Sequence, residues 1–385
     1  MALDSRSWRV CIVGGGIAGI ASALALAKEL GPREPNLQVT VYERHDVLST
    51  SGGAINLTPV AQRHLDRLGV LEELDRQGAD AGADVDAIEL FSSRSGRSLG
   101  SIDFTDGQGK GVNGYKGRRV MRIVLSLAML AVIERHPNIR IVYGKKLTGV
   151  SETSNQTILH FDDKTSAAGD LVLGCDGVHS VLRTHYVDPG RPSDYTGLSF
   201  LQTTVDTPPP SSAKSTRPST STSYTDSTQS SRTRSISTPS HPSQGPTMHP
   251  APFKTSGLAV SRHGDLLGSY CDRDRATLFL AAIVQIPESL LPRYRLDPPS
   301  FELSASEYAA DQRRRASVHS ALQSEIQSRF ARSGSSWIRD VARLKTNWML
   351  YPVYQVRPGG KWCRGNVILL GDAAHAVRLP PIYIP

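Results

Sequence analysis

The chain has 385 residues and a formal net charge of +8, with 39% hydrophobic and 21% charged residues. These values are typical of a globular protein large enough for two domains, and no apolar run reaches the roughly 18 residues of a membrane helix. The basic residues are scattered and accompany no nucleic-acid-binding motif, so the charge favours an anionic cofactor or substrate over DNA or RNA.

The four cysteines, Cys11, Cys175, Cys271 and Cys363, are far apart and form no CxxC pair. Cysteines in this pattern are usually buried hydrophobic residues of an intracellular protein, so we expect neither disulfides nor a metal site. The apolar N-terminal run contains three consecutive glycines, which is not typical of a signal peptide. The sequence therefore predicts a cytoplasmic protein without a membrane span.

The first elements predict a strand, a helix and a second strand. Residues 8–13 are a short apolar strand, Gly14 to Gly16 break it, and residues 17–30 have the alanine- and leucine-rich character of a helix. Gly31-Pro32 ends that helix, and residues 37–44 alternate like a second strand. This order of elements predicts a parallel sheet.

The middle of the chain continues with helix and strand patterns. Residues 118–136 predict a buried or amphipathic helix that the following proline ends. Strands are predicted within residues 139–152, within residues 157–161 and at the start of residues 170–183. More β-like sequence begins at residue 195.

Residues 206–250 interrupt this pattern, because 30 of the 45 are Ser, Thr or Pro. Such a tract carries too little apolar surface to offset the entropy lost on ordering, so we predict that it is disordered. Strand character resumes in residues 256–270 and 276–286. Residues 304–332 predict a helix, and residues 366–370 predict a final strand.

The turn after the first strand has the spacing Gly14-x-Gly16-x-x-Gly19, which occurs in dinucleotide-binding proteins. A second match in residues 109–114 follows a polar segment and starts no helix, so we interpret it as a flexible loop. The first copy lies between a strand and a helix. There its glycines permit a tight turn, close approach of a pyrophosphate and close packing of helix on strand, and the helix amides face the phosphates.

Glu43 ends the second predicted strand, 24 residues after Gly19. An acidic residue at about this distance binds the ribose hydroxyls in dinucleotide-binding folds, and it suits a free 2′-hydroxyl better than a 2′-phosphate. Alone, Glu43 is equally well explained as a solvated charge at a strand end. Together with the glycine turn, it favours ribose binding.

Two further turns place an aspartate directly after an apolar strand. Asp176 lies in CDGVHSVLR, residues 175–183, and Asp372 lies in LLGDAAHA, residues 369–376. Each aspartate is also explained as a turn or helix-capping residue without a ligand. A simple NAD-dependent dehydrogenase leaves both turns unexplained.

The three turns together resemble the signatures of the FAD-dependent aromatic-ring monooxygenases, the group of salicylate hydroxylase, para-hydroxybenzoate hydroxylase and the tetracycline-inactivating monooxygenases. The resemblance covers roughly residues 8–205 and 252–385 and includes the spacing of residues 43–70 and an arginine, Arg122, at a helix start. It implies an α/β fold: a Rossmann-like FAD-binding domain with a parallel sheet and an inserted, mainly antiparallel β substrate domain.

The resemblance implies that FAD-binding and substrate-domain segments alternate along the chain. The segments are a first FAD-binding part, residues 1–90, a substrate-domain excursion, 91–115, a second FAD-binding part, 116–190, a substrate domain with the disordered insert, 191–345, and a third FAD-binding part, 346–385.

The resemblance also implies which residues hold FAD. The first glycine turn would meet the pyrophosphate, Glu43 the adenosine ribose and Asp372 a ribitol hydroxyl, while Arg122 would place fixed positive charge against the cofactor. The implied cofactor-binding residues are Gly14, Gly16, Gly19, Glu43, Arg44, Gly53, Ala54, Arg122, Asp176, Asp372 and Ala373. No residue is assigned as a catalytic base, and His375 is interpreted as an ordinary helix residue.

The implied activity is hydroxylation of an aromatic or polycyclic small molecule with NAD(P)H and O2, through a flavin C4a-hydroperoxide. NAD(P)H would bind transiently near the Asp176 turn as a co-substrate, since the sequence shows no second dinucleotide-binding domain. Another branch of the same FAD fold, such as a flavin-dependent halogenase or a prenyl reductase, is a further alternative. The halogenase is disfavoured because the Trp-x-Trp-x-Ile motif is absent. A truncated, catalytically impaired relative that binds FAD and has a binding or regulatory role stays an open alternative.

The end of the chain departs from the family pattern. In the family, the Gly-Asp turn is followed by a proline, a glycine-rich loop and a long helix, whereas this sequence continues as VRLPPIYIP, residues 377–385. We therefore expect a C-terminally truncated relative, for which the fold is better supported than the activity.

Overall fold

The computed structural model describes residues 7–50, 53–207, 248–296 and 304–377. The strands are β1 (Arg9–Val13), β2 (Gln38–Tyr42), β3 (Ala54–Leu57), β4 (Ala83–Val85), β5 (Ala87–Ser92), β6 (Ser98–Asp103), β7 (Gly117–Met121), β8 (Ile139–Val142), β9 (Leu147–Glu152), β10 (Thr157–Phe161), β11 (Ser166–Gly169), β12 (Leu171–Gly174), β13 (Ser193–Asp206), β14 (Ser256–Val260), β15 (Asp265–Tyr270), β16 (Thr277–Gln285), β17 (Met349–Val356), β18 (Cys363–Arg364) and β19 (Val367–Leu369). The α-helices are α1 (Ile17–Glu29), α2 (Pro59–Arg67), α3 (Val70–Asp75), α4 (Arg122–Ile133), α5 (Leu291–Tyr294), α6 (Ala305–Phe330), α7 (Ser336–Arg343) and α8 (Asp372–His375).

A six-stranded sheet forms the centre of the first unit. Its order is β18-β19-β12-β1-β2-β8, and every pair is parallel except the edge pair of β18 and β19. Along β1, Val10 and Ile12 pack with α1 and α4 on one face, while Cys11 and Val13 pack with the β9–β11 sheet on the other. Because both faces are covered, β1 is a continuous apolar run.

A seven-stranded sheet forms the centre of the second unit. Its order is β17-β13-β16-β15-β14-β5-β6, and only the pairing of β14 with β5 is parallel. Helices α6 and α7 cover its outer face, where Leu322, Phe330 and Trp337 are fully buried. The opposite face, called the inner face below, turns toward β3 and β7, and there Phe279 packs with Ala54. The predicted fold class, a parallel Rossmann-like sheet with an inserted and mainly antiparallel one, is confirmed.

The predicted helix over residues 118–136 is wrong at its start. Residues 117–121 form β7, and α4 begins at Arg122. Both edges of β7 are paired, one with β3 and the other with β4. These ladder hydrogen bonds come from distant parts of the chain and override the local helical pattern.

Some predicted features lie outside the described residues. The predicted disordered tract, residues 206–250, is described only at its ends, where Asp206 ends β13 and Met248 packs against the core that α6 and α7 form with the seven-stranded sheet. The predicted loop at residues 109–114 is described, and no helix starts there. The VRLPPIYIP segment lies outside the described residues after Val377, and the domain boundaries stay predictions.

The cysteines follow the expectation in part. Cys11, Cys175 and Cys271 are buried, whereas Cys363 is exposed, contrary to the expectation that all four are core residues. In the described part of the chain, no group of His, Cys, Asp and Glu residues is arranged to hold a metal ion. None of the helices in that part is long and apolar enough to cross a membrane.

Candidate cofactor site

The three predicted turns meet at one edge of the six-stranded sheet. Strand β12 lies between β1 and β19, so Val13 pairs with Gly174, and Gly174 pairs with Leu369. The three turns follow the carboxyl ends of these strands. The chain leaves β1 toward β2 on one side and returns through β12 on the other, and such a reversal of strand order opens a crevice that ligands occupy in α/β sheets.

The glycines of the first turn have different tasks. Gly14 has a φ of +105°, and a Cβ there would lie 2.3 Å from the carbonyl oxygen of Cys175, so this turn touches the second one through its backbone. A Cβ at Gly19 would lie 1.9 Å from the Gly14 carbonyl oxygen. A Cβ at Gly16 would meet no described atom within 4 Å. Gly16 therefore leaves the N-terminus of α1 open to a phosphate group.

Glu43 lies against this turn, directly after β2. Its Oε2 accepts a hydrogen bond from the Gly15 amide at 2.7 Å, and its Oε1 accepts one from the His45 amide at 3.0 Å. The His45 Nδ1 also lies 2.6 Å from Oε1. Burial raises the pKa of the Glu43 carboxyl, but the amides of His45 and Gly15 together with the His45 ring outweigh it, and the pKa lies below its ordinary value. A carboxylate has about four acceptor positions, so Glu43 keeps capacity for a ribose hydroxyl while it orders the turn.

Asp176 holds the second turn and leaves one oxygen without a partner. Its Oδ2 accepts hydrogen bonds from the amides of Val181 at 2.8 Å and Leu182 at 3.2 Å. Its Oδ1 is shielded from solvent and has no hydrogen-bond partner among the described residues. Burial raises the pKa of the carboxyl. The native fold thus carries a poorly solvated acceptor at the crevice, which a ligand hydroxyl would satisfy.

We expect Asp176→Asn to keep or raise the stability at neutral pH, by up to about 1 kcal/mol, because the amide oxygen still accepts from Val181 and Leu182 and a poorly solvated charge is removed. The folded-state pKa of Asp176 is raised, so its carboxyl destabilises the fold above that pKa, and the penalty fades as the pH falls toward the ordinary value of 3.8. Urea denaturation of both proteins between about pH 4 and 7 measures the difference. A variant less stable than the wild type at pH 7 by more than about 1 kcal/mol contradicts the expectation.

The third turn packs on the first helix. Gly371 has a φ of +58°, and a Cβ there would lie 3.0 Å from the Cβ of Ala18 in α1. Asp372 begins α8 and is exposed, and its carboxylate has no hydrogen-bond partner among the residues that the structure describes. Ala373 and Ala374 are fully buried, so their small side chains let the turn approach the sheet closely.

A fully buried arginine joins the second turn to the third. Arg183 donates through Nη1 to the carbonyl oxygen of Ala373 at 2.7 Å, through Nε to that of Arg191 at 2.9 Å and through Nη2 to that of Val178 at 2.5 Å. Arg191 also donates to the carbonyl oxygen of Ala374 at 2.8 Å. Sequence reasoning missed Arg191, because nothing in its neighbourhood separates a buried arginine from an exposed one.

Gly53, Ala54 and Arg122 lie where the two units meet. The Arg122 amide donates to the carbonyl oxygen of Gly53 at 3.0 Å, and a Cβ on Gly53 would lie 2.2 Å from the Phe279 ring of the inner face. The Arg122 Nε is shielded from solvent and has no partner within the described ranges. A buried guanidinium nitrogen without an acceptor favours an anionic or carbonyl-bearing ligand at this junction.

Arg44 and His179 add a polar edge beside the second turn. Partial burial, the charge of Arg183 and the charge of Arg44 together lower the pKa of His179, so its imidazole is neutral at neutral pH. The His179 Nδ1 lies 3.0 Å from the hydroxyl of Ser193, and its ring meets that of Tyr354 edge-on at 4.5 Å. Sequence reasoning did not single out His179, although it lies within the CDGVHSVLR turn.

Two surface cavities, of about 360 and 370 Å³, lie elsewhere. One includes Lys28 and His136 at the ends of α1 and α4, and the other includes Arg9 and Thr40 beside β11. Neither is lined by a predicted cofactor residue. The candidate site is therefore defined by converging turns and unpartnered atoms, and not by an enclosed volume.

A parallel sheet with a glycine turn, a ribose-distance acid and two aspartate turns at one edge defines the class of this protein, an α/β protein with a dinucleotide-binding fold. Residues 9–92 match the family model of the FAD dependent oxidoreductases. This stretch, which includes the first glycine turn and Glu43, is therefore similar to the FAD dependent oxidoreductases.

Aromatic-ring monooxygenases are among its relatives. The 6-hydroxynicotinate 3-monooxygenase of Pseudomonas fluorescens is 30% identical over 207 residues, which are 53% of this chain and 49% of that protein. The 3-amino-4-hydroxybenzoate 2-monooxygenase PtmB3 of Streptomyces platensis is 30% identical over 179 residues, 46% of this chain and 42% of that protein. The chain thus spans about half the length of the curated relatives it matches.

The fold is shared with solved structures. Klebsiella pneumoniae HpxO, crystallised with FAD and uric acid, superposes with a TM-score of 0.64 at 18% identity over 96% of this chain and 74% of that one. A salicylate hydroxylase substrate complex superposes with a TM-score of 0.62 at 16% identity over 97% of this chain and 74% of that one. The predicted resemblance to the FAD-dependent aromatic-ring monooxygenases is confirmed.

Proposed function

We propose that this chain binds FAD in the crevice where the three turns meet and acts as an aromatic-ring monooxygenase that uses NAD(P)H and O2. The observation that carries the proposal is that the turns pack closely around an open helix N-terminus. The Gly14 turn contacts Cys175 of the second turn, and the Gly371 turn contacts α1. The unpartnered Asp176 Oδ1 and Arg122 Nε supply hydrogen-bonding groups that a ligand would satisfy.

The residues of this chain fit an elongated flavin nucleotide. The N-terminus of α1 at Gly16 would receive the pyrophosphate, and Glu43 would accept hydrogen bonds from the adenosine ribose. Asp372, which is exposed beside α1, would accept from a ribitol hydroxyl. Arg122 would place fixed positive charge at the flavin end, next to the loop of Gly53.

Bound FAD would supply the redox chemistry, by accepting a hydride from NAD(P)H and by activating O2 to transfer one oxygen atom to an electron-rich ring. The protein would bind and orient both substrates and exclude water. Arg122 would stabilise negative charge at the flavin end of the crevice. The apolar inner face of the seven-stranded sheet, which meets Gly53 and Ala54, would shield the reacting ring from solvent.

Arg44 and His179 support a site for the nicotinamide co-substrate beside the second turn. The charge of Arg44 contributes, after burial and the charge of Arg183, to the lowered pKa of His179. An exposed guanidinium and a neutral imidazole can both donate hydrogen bonds to the phosphates of a dinucleotide. This edge borders the Asp176 turn, so the co-substrate would approach from outside the crevice.

The names of the relatives favour a hydroxylated aromatic acid as substrate, since 6-hydroxynicotinate and 3-amino-4-hydroxybenzoate are both of this class. We propose the broader class of aromatic or polycyclic small molecules for this chain, in the cytoplasm and without a nucleic-acid partner. An FAD-binding relative with a regulatory role and no turnover is the second candidate.

We expect Glu43→Gln to weaken FAD binding about tenfold or more, because a neutral amide replaces the ionised acceptor of the Gly15 and His45 amides and of the ribose. Quenching of FAD fluorescence on titration with the protein measures the affinity. Glu34→Gln, at an exposed glutamate, is the matched control and should bind like the wild type. Equal affinities for the two variants contradict the role of Glu43.

Turnover separates the two candidate functions. The FAD-loaded protein is mixed with NADH or NADPH and with 6-hydroxynicotinate or 3-amino-4-hydroxybenzoate, and the loss of reduced nicotinamide and the mass of the product are measured. Stimulated oxidation with gain of one oxygen supports the monooxygenase. FAD binding without stimulation by any aromatic probe supports the regulatory relative, and a protein that takes up no FAD overturns both.

A further inference from the structure

On the inner face of the seven-stranded sheet, the amide of Gln202 lies among apolar neighbours. Gln202 on β13 pairs with Ala281 on one side and with Met349 on the other. The next inner-face residue along β13 is Phe200, which pairs with Ile283. Gln202, Phe200 and Ile283 are all only partly buried, so this part of the face has open space in front of it.

Gln202 connects this face to the proposed cofactor site through two hydrogen bonds. Its Oε1 accepts from the Gly53 amide at 3.0 Å. The Gly53 carbonyl oxygen in turn accepts from the Arg122 amide at 3.0 Å. The Gly53 turn can approach this closely only without a side chain, because a Cβ would overlap the Phe279 ring. Gln202 therefore holds Gly53, the residue before β3 whose carbonyl oxygen accepts from the first amide of α4.

The direction of the first bond fixes the orientation of the Gln202 amide. A backbone N–H only donates, so the Gln202 atom that faces Gly53 is the carbonyl oxygen. The Nε2 group then points away from Gly53 with two N–H donors, and no described residue accepts from it. A donor pair surrounded by Phe200, Ala281 and Met349 is the kind of isolated polar group that orients a ligand in an apolar pocket.

We propose that Gln202 is the residue that sets the substrate orientation: its carbonyl oxygen fixes the Gly53 turn, and its amide nitrogen donates to a ring hydroxyl or carbonyl oxygen of the aromatic substrate. This inference rests on the proposed function, because it places the substrate between the inner face and the flavin end of the crevice. The carbonyl oxygen and the amide nitrogen of Gln202 have different roles, so substitutions can test the two roles separately.

Two variants divide the tasks. Gln202→Glu keeps an oxygen for the Gly53 amide and, at about pH 8 where the carboxyl is ionised, lacks the donors. Gln202→Leu lacks both groups. Gln285→Leu, at an exposed glutamine of β16 in the same sheet, is the matched control.

Hydrogen exchange of the peptide containing Gly53 is measured on the FAD-free proteins. The binding of 6-hydroxynicotinate and its carboxamide is measured on the FAD-loaded proteins by perturbation of the flavin spectrum.

The expected result has two parts. Exchange at Gly53 is faster in Gln202→Leu and unchanged in Gln202→Glu and Gln285→Leu. Both Gln202 variants bind the neutral carboxamide probe about 5- to 10-fold more weakly than the wild type. During turnover, both also pass a larger share of the electrons from NAD(P)H to hydrogen peroxide. The neutral probe is decisive for Gln202→Glu, because the new charge also repels the anionic one.

Each part can fail separately from the proposed function. Unchanged exchange in Gln202→Leu overturns the tie to Gly53, whether or not the protein binds FAD. A Gln202→Glu protein that binds the neutral carboxamide as tightly as the wild type overturns the donor role. Failure of the wild type to take up FAD overturns the proposed function, while the exchange measurement still decides the tie.

Discussion

Replacement of Arg183 by methionine should destabilise the protein by at least about 3 kcal/mol and abolish tight FAD binding. The guanidinium is fully buried and donates to the carbonyl oxygens of Val178, Arg191 and Ala373. Methionine fills a similar length without any donor, so two buried carbonyl groups and a partly buried one lose their partner, and each unsatisfied buried group costs about 1–3 kcal/mol. Urea denaturation of the FAD-free protein measures the stability, and fluorescence quenching measures the FAD affinity.

The loss of stability should be specific to the hydrogen bonds by which Arg183 links the second turn to the third. Arg364→Met removes an exposed guanidinium that donates to the Tyr186 carbonyl oxygen at 3.0 Å, in the same region of the fold but without a contact to the third turn. That control should cost less than about 1 kcal/mol. Arg183→Lys keeps the charge and reaches fewer carbonyl groups, so an intermediate value is expected. Equal stabilities of Arg183→Met and Arg364→Met would show that Arg183 does not hold the turns together.

The elements around the crevice are predictable from sequence because local chemistry determines them. The run of β1, the glycines after it and the alanine-rich α1 are contiguous, and their order alone defines a parallel unit. The aspartates of the second and third turns each follow a short apolar strand. Parallel strands of one sheet end at the same edge, so convergence of the turns follows once β1, β12 and β19 share a sheet.

The start of α4 shows where such reasoning stops. Residues 118–121 are Arg-Arg-Val-Met, and no turn residue separates them from the apolar run that starts after Arg122. They form β7 because β3 and β4 offer hydrogen-bonding edges on both sides. This partner pairing is a property of the folded chain, and a local pattern contains no signal for it.

The links across the site are equally invisible in the sequence. Arg183 and Ala373 are separated by 190 positions, and Gln202 and Gly53 by 149. Arginine and glutamine are usually surface residues, so burial of either is a result of the tertiary fold. The sequence identifies the turns that would touch the cofactor, whereas the residues that hold those turns in place are found only in the structure.

Gly14→Ala should destabilise the protein by about 2–5 kcal/mol, because a Cβ at this position meets two separate penalties. The φ of +105° is strained for any residue with a side chain, and the added carbon would lie 2.3 Å from the carbonyl oxygen of Cys175. The clash is with backbone at the end of β12, so relief requires the first and second turns to separate. Thermal and urea denaturation of the FAD-free protein measure the cost.

Gly16→Ala is the matched substitution two residues later, and it should leave the stability nearly unchanged but weaken FAD binding. Its φ of −76° is ordinary, and its Cβ would meet no described atom within 4 Å, so the stability without FAD should change by less than about 1 kcal/mol. The methyl group would nevertheless occupy the space in front of the α1 N-terminus, where a pyrophosphate needs close backbone contact, so FAD affinity should fall at least about tenfold. If Gly16→Ala binds FAD as tightly as the wild type, the pyrophosphate does not lie at this turn. FAD would then be bound at another place, even if Gly14→Ala unfolds as expected.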